Sequence, residues 1–145
     1  MLGVQPAFEA FWGGPDRLYN RRLGARWQHT NPFNSLLDSG VTLAGGSDSP
    51  ITPIDPLAGI RAAIDHPNAG QRVTAGQALA MFTSAAAYSL GLEGRAGCLR
   101  PGMDADFTVL SADPRTSSGC EVIATLRAGK SIYENKKLSE RPLSS

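Results

Sequence analysis

Val41-Thr42-Leu43-Ala44-Gly45-Gly46-Ser47-Asp48-Ser49-Pro50 is the stretch on which the fold turns. Its apolar run, Val41 to Ala44, stands between Gly40 and the Gly45-Gly46 pair. A short run of this kind, bounded by turn residues and lacking alternation, reads as a strand buried on both faces, as in a parallel sheet. The glycines allow close passage of the backbone. The run delivers Asp48 at its carboxyl end, where parallel α/β architectures collect their catalytic groups. A carboxylate there has the chemistry to ligate a divalent metal and to take a proton from a metal-bound water. Locally, Ser47-Asp48-Ser49-Pro50 also reads as an Asx turn or a helix cap, and both readings stay open at this level.

Upstream, Leu2 to Gln5 reads as the end of a strand stopped by Pro6. Pro6 to Phe33 reads as a long irregular loop carrying Phe8, Phe11, Trp12, Tyr19 and Trp27. Such a loop either covers a core edge or shapes a functional pocket. Asn34 to Ser39 predicts a short helix closed by Gly40.

Downstream, Asp55 caps a helix with Pro56 at its first position, and Leu57, Ile60 and Ile64 share one face before Pro67 ends it. Thr74 and Gln77 form a capping box for a second helix with Leu79, Phe82 and Ala86 as its stripe, stopped by Gly91. His66, just before Pro67, is explained as a structural group near helix carbonyls. Beyond Gly91 the character changes. Pro101-Gly102 predicts a type II turn. Ala105 to Leu110 and Val122 to Arg127 predict strands, and Ala128-Gly129 turns the latter into Ser131 to Tyr133 as a hairpin. Glu134 to Ser145 reads as a polar, frayed tail. The shift between Gly91 and Gly102 marks a candidate domain boundary.

Composition narrows the function classes. A chain of 145 residues is the size of one domain and buries roughly 68–70% of its unfolded surface. The net charge of +1, with no basic patch, argues against a nucleic-acid partner. No apolar run approaches the roughly 18 residues of a membrane span. The start of the sequence lacks the basic and apolar regions of a secretory leader. Cys98 and Cys120 lie far apart in no metal-like spacing, so reduced thiols and a cytoplasmic location are expected.

In order, the chain carries Gly45-Gly46-Ser47-Asp48-Ser49-Pro50, Asp55-Pro56-Leu57, Thr74-x-x-Gln77-Ala78-Leu79, Thr83-x-x-Ala86-Ala87, Gly97-Cys98-Leu99-Arg100-Pro101-Gly102, Ala105-Asp106-Phe107-Thr108-Val109-Leu110 and Gly129-Lys130-x-x-x-Glu134. This ordered set resembles the C-terminal third of the amidohydrolase superfamily, particularly its family-3 branch. The resemblance implies an α/β fold, with the C-terminal portion of a distorted (β/α)8 barrel over residues 1–96, strands seven and eight included. It implies part of a small composite β-sandwich over 97–134, and a flexible tail over 135–145. It implies hydrolysis of non-peptide carbon–nitrogen bonds by metal-activated water, usually with zinc. Asp48 matches the metal ligand and general base after strand eight, held by Ser47, Ser49 and Pro50. His29, Trp27 and Ser49 are the expected contacts to a small-molecule substrate. The family's other ligands, a His-x-His pair, a carboxylated lysine or carboxylate, and two further histidines, have no counterpart here. The isolated chain is therefore expected to be catalytically incomplete. It is also expected to form a homo-oligomer or to join a complementing chain that covers its open sheet edges. The alternative of a different class is a non-catalytic folded module that acts by oligomerising.

Overall fold

The computed structural model describes residues 1–139. It is an α/β chain with a two-stranded parallel sheet and a three-stranded antiparallel one. In the first sheet, β1 (Leu2–Val4) pairs with β2 (Leu43–Gly45), Leu2 opposite Leu43 and Val4 opposite Gly45. The Leu2 N–H donates to the Thr42 carbonyl at 2.9 Å and the Gly46 N–H to the Val4 carbonyl at 2.8 Å. Leu43 and Ala44 are buried, as the apolar run predicts. The strand itself starts two residues later than expected, at Leu43 rather than Val41.

The stretch from Pro6 to Phe33, read as irregular, is mostly helical. It holds α1 (Ala7–Trp12), α2 (Leu18–Leu23) and a 3-10 helix over Gly24–His29, leading into α3 (Phe33–Asp38). Pro6 stops β1 and, with φ of −58°, starts α1. Helices this short show less than two turns of periodicity, so their pattern does not stand out in the sequence. The aromatic residues cluster edge-on, Phe8 and Trp12 with ring centres 4.8 Å apart on one face of α1.

After β2, α4 (Pro56–Ile64) has Asp55 as its cap, the carboxylate accepting from the Ala58 N–H at 3.0 Å. The Thr74–Gln77 capping box opens α5 (Ala75–Met81). The single helix expected from Thr74 to Gly91 is broken, and α6 (Ser84–Ser89) follows as a separate element. Thr83 leaves the helical region at φ −128° and ψ −95°. Its hydroxyl donates back to the Leu79 carbonyl at 2.8 Å, the local bond by which threonine competes with a helix ladder. The break turns the Phe82 ring against Gly45 of β2 and Gly59 of α4; a Cβ on Gly59 would lie 2.3 Å from Phe82 Cζ. Val4, Phe33, Leu43, Ile60, Ala63, Val73, Ala78 and Met81 form the core beneath these helices.

The second sheet runs β3 (Phe107–Leu110), β4 (Val122–Arg127) and β5 (Lys130–Glu134), all antiparallel. Ala128 and Gly129 both have positive φ, 49° and 74°, which is the hairpin turn that matches strand twist. Asp106 serves that turn, its carboxylate accepting from the Ala128 N–H at 2.7 Å. The sheet covers little: Phe107, Val109, Ile132 and Tyr133 are all exposed. Lys136–Ser139 forms α7, and the rest of the expected tail, residues 140–145, lies outside the described residues. No helix among the described residues is long and apolar enough to cross a membrane.

The Phe82 wedge reverses an ordinary expectation. Gly to Ala inside a helix normally gains about 1 kcal/mol, whereas overpacking a core costs about 1–3 kcal/mol. Gly59→Ala is therefore expected to lower stability in urea unfolding, and Phe82→Leu in the same chain to recover part of the loss. A Gly59→Ala chain as stable as the parent would show that the ring is not wedged there.

Candidate functional site

The parallel pairing sends the chain out of β1 and β2 on the same edge of the sheet. Past β2, Gly45, Gly46 and Ser47 line a cleft of 260 Å³ with Ala7, Asp55 and Phe82. The chain then makes a tight turn. Asp48 is left-handed, with φ of 53°, and its carbonyl accepts from the Ile51 N–H at 2.8 Å. The Ser49–Pro50 peptide is cis. Ser47 Oγ accepts from the Ser49 N–H at 3.2 Å. The buried Thr52 hydroxyl donates to the Ser47 carbonyl.

These bonds decide between the two local readings of Ser47-Asp48-Ser49-Pro50. The side chains that hold the turn are those of Ser47 and Thr52, while the helix cap is Asp55. Among the described residues the Asp48 carboxylate has no part in this bonding, and Asp48 and Ser49 are exposed. A left-handed φ is uncommon for a residue other than glycine and is tolerated best by Asn and Asp. The turn thus presents a free carboxylate at the strand end without using it as a strut.

The other expected site residues lie elsewhere. Trp27 is buried in the 3-10 helix and His29 is exposed at its end. The Asn68 side chain, past the far end of α4, donates to the Gln28 carbonyl at 2.7 Å and so fixes their place. The α4 helix begins beside the cleft and runs nine residues, about 13 Å at 1.5 Å per residue. Asp48 and the Trp27–His29 turn therefore stand near opposite ends of α4.

One buried polar group escaped the sequence reading. Glu9, on α1, is 1% exposed, and His66 is fully buried against it. His66 was explained by a helix end, but α4 stops at Ile64 and the imidazole packs edge-on against Phe33, ring centres 5.4 Å apart. The available signal was Glu9 itself, an acidic residue amid aromatics, one helical turn before a glycine. A Cβ on Gly13 would lie 1.9 Å from Glu9 Oε2, so only glycine fits that carboxylate.

Among the described residues, no group of three or more His, Cys, Asp or Glu is placed to hold a metal ion. A zinc site takes about three or four protein ligands. Asp48 accordingly fits as one ligand of a metal site and has no complete ligand set around it among the described residues.

A buried parallel pair that ends in an exposed acidic turn makes this an α/β protein with a carboxylate at its strand end. The sequence matches the amidohydrolase family over residues 1–133, and the chain belongs to that family. YtcJ of Bacillus subtilis, named as an amidohydrolase, is 33% identical over 150 residues, which cover 92% of this chain and 28% of YtcJ. A structure described as an uncharacterized metal-dependent hydrolase from Pyrococcus furiosus superposes with a TM-score of 0.59 at 30% identity, over 71% of this chain and 21% of that one. An amidohydrolase from Thermotoga maritima shares the fold with a TM-score of 0.64 at 24% identity, over 92% of this chain and 37% of its own. The chain thus spans well under half the length of these relatives.

The turn at Asp48 hangs on the buried Thr52 hydroxyl. Thr52→Val leaves the Ser47 carbonyl without that donor, and an unsatisfied buried polar group costs about 1–3 kcal/mol. Denaturant unfolding is expected to show that loss. Ser49→Ala, on the exposed side of the same turn, is expected to change stability by no more than about 0.5 kcal/mol.

Proposed function

We propose that this chain works as the carboxyl-terminal part of a metal-dependent hydrolase acting on non-peptide carbon–nitrogen bonds. In this reading β1 and β2 stand as strands seven and eight of a (β/α)8 barrel formed by residues 1–96 and a complementing polypeptide, either a second copy or another chain. Residues 97–134 then contribute part of a composite β-sandwich, which fits the exposed apolar side chains of Phe107, Val109, Ile132 and Tyr133. The observation that carries the reading is the free Asp48 carboxylate at the end of a buried parallel strand. Family membership and the metal-dependent hydrolase among the similar structures support it.

Asp48 supplies one ligand to a divalent metal, zinc by the chemistry of such sites, and acts as the base that receives the proton of the attacking water. When bound, the metal makes that water acidic enough to ionise near neutral pH. Ser47 and Thr52 hold the turn, and Ser49, beside Asp48, is placed to touch a small-molecule substrate. Trp27 and His29 have no contact with substrate in this reading, since α4 separates them from Asp48. Both cysteines are free, the state a reducing cytoplasm maintains.

The second reading, a non-catalytic oligomerising module, is favoured by the incomplete ligand set described above. Metal analysis of the assembly as purified from its native host separates the two. The enzymatic reading expects about one or more divalent ions per chain by mass spectrometry, together with hydrolysis of simple amides, both lost in Asp48→Asn. A metal-free, inactive assembly in which Asp48→Asn changes nothing leaves the module reading standing.

A further inference from the structure

Glu9 and His66 are buried and ionisable, and the reading built on Asp48 uses neither. Asn31 Nδ2 donates to Glu9 Oε1 at 2.6 Å. Glu9 Oε2 faces His66 Nε2 at 3.9 Å, too far for a direct hydrogen bond. On the other side of the ring, the Asn68 N–H donates to His66 Nδ1 at 3.0 Å. Nδ1 therefore carries a lone pair, which places the proton of the neutral imidazole on Nε2, toward Glu9. The Asn68 carbonyl lies only 3.2 Å from the same Nδ1. A single residue thus offers His66 both a donor for its neutral form and an acceptor for its charged form.

Asn68 also ties down a distant stretch of chain. Its side-chain amide donates to the Gln28 carbonyl at 2.7 Å, and its side-chain oxygen accepts from the Gly70 N–H at 3.0 Å. Asn31, the partner of Glu9, sits at a positive φ of 45°, a conformation that needs support from its surroundings. The excursion from α2 through the 3-10 helix is thereby attached to the body of the fold at Asn31 and Gln28, both through this cluster.

We propose that Glu9, His66 and Asn68 form an acid-sensitive clamp, in which uptake of a solvent proton at His66 Nδ1 displaces the Asn68 N–H and releases the Leu18–Thr30 excursion from the end of α4. The proton bonds to Nδ1, the imidazolium turns Nδ1–H to the Asn68 carbonyl, and Nε2–H closes on the Glu9 carboxylate. Asn68 then shifts, and its hold on Gln28 is lost. The clamp is independent of Asp48 and of any metal.

The charged groups around the imidazole set the sign. Burial lowers the pKa of His66 below its ordinary 6.5, and the nearby Arg72 guanidinium acts in the same direction; the Glu9 charge and bonds to Asn68 and Asn31 oppose them. Tyr19 on α2 has its phenol pKa raised by burial and by the Glu9 charge, against a side-chain bond to Asn31 that lowers it, so it stays neutral beside the pair. A histidine whose folded pKa is lowered binds its proton more readily in the open state. Closure is thus fully present above pH 6.5 and is lost as pH falls below that value.

Amide hydrogen exchange at pH 7.5 and pH 5.5, corrected for intrinsic rates, tests the clamp. Amides of Gly24 to Thr30 are expected to open at least about tenfold more at the lower pH, with Leu43–Gly45 and the last turn of α4 unchanged. His66→Gln should abolish this difference, and His29→Gln, at an exposed histidine outside the cluster, should retain it. Should His66→Gln fail to fold, Glu9→Gln keeps an acceptor for Asn31 but removes the charge that favours the imidazolium. That lowers the closed-state pKa of His66 further, so the opening at pH 5.5 is expected to be at least as large as in the parent. Equal protection at both pH values, loss spread evenly over every element, persistence in His66→Gln, or a smaller opening at pH 5.5 in Glu9→Gln than in the parent would each overturn the proposal.

Discussion

Two backbone hydrogen bonds, Leu2 N–H to the Thr42 carbonyl and Gly46 N–H to the Val4 carbonyl, bracket a pairing of only three residues per strand. Nearly everything else follows from that pairing. Because it is parallel, both strands release their chain on the same edge, which brings Ala7 and Asp55 to one cleft with Gly45, Gly46 and Ser47. Because Leu43 and Ala44 are buried, helices must cover both faces, and α4, α5 and α3 supply Ile60, Met81 and Phe33. A parallel pair cannot be closed by a tight turn, so the long excursion through α1, α2 and α3 is the crossover the sheet requires.

Where the sequence was legible, a single residue type met a single physical demand. Asp55 and Pro56 start α4, and Thr74 and Gln77 start α5, because capping groups satisfy orphan N–H donors wherever they occur. Gly40, Gly91 and Gly102 all take positive φ where stops or turns were read. The buried strand that leads to the Asp48 turn was read the same way, from an apolar run bounded by glycines. What the sequence left open was whether the Asp48 carboxylate served the turn, and the bonds of Ser47 and Thr52 answer that it does not.

The misreadings share a cause: tertiary contacts that have no local signature. The helices between Pro6 and Phe33 are each about a turn and a half long and hold because aromatic rings and Glu9 anchor them. The break at Phe82 depends on two glycines far away in sequence, which leave room for the ring. The Glu9–His66 pair joins residues far apart in the chain, and nothing in the local sequence of either names the other. The place of Trp27 and His29 likewise depends on a distant bond, from the Asn68 side chain to the Gln28 carbonyl.

The strand pairing is open to direct measurement. The Gly46 amide is the reporter, since its bond to Val4 exists only if the two strands are paired in this register. The account predicts that it exchanges as slowly as the amides of the core helix α4, through the same global unfolding event. Exchange of Gly46 at the rate of an open chain, with α4 still protected, would contradict the parallel pairing and with it the placement of Asp48.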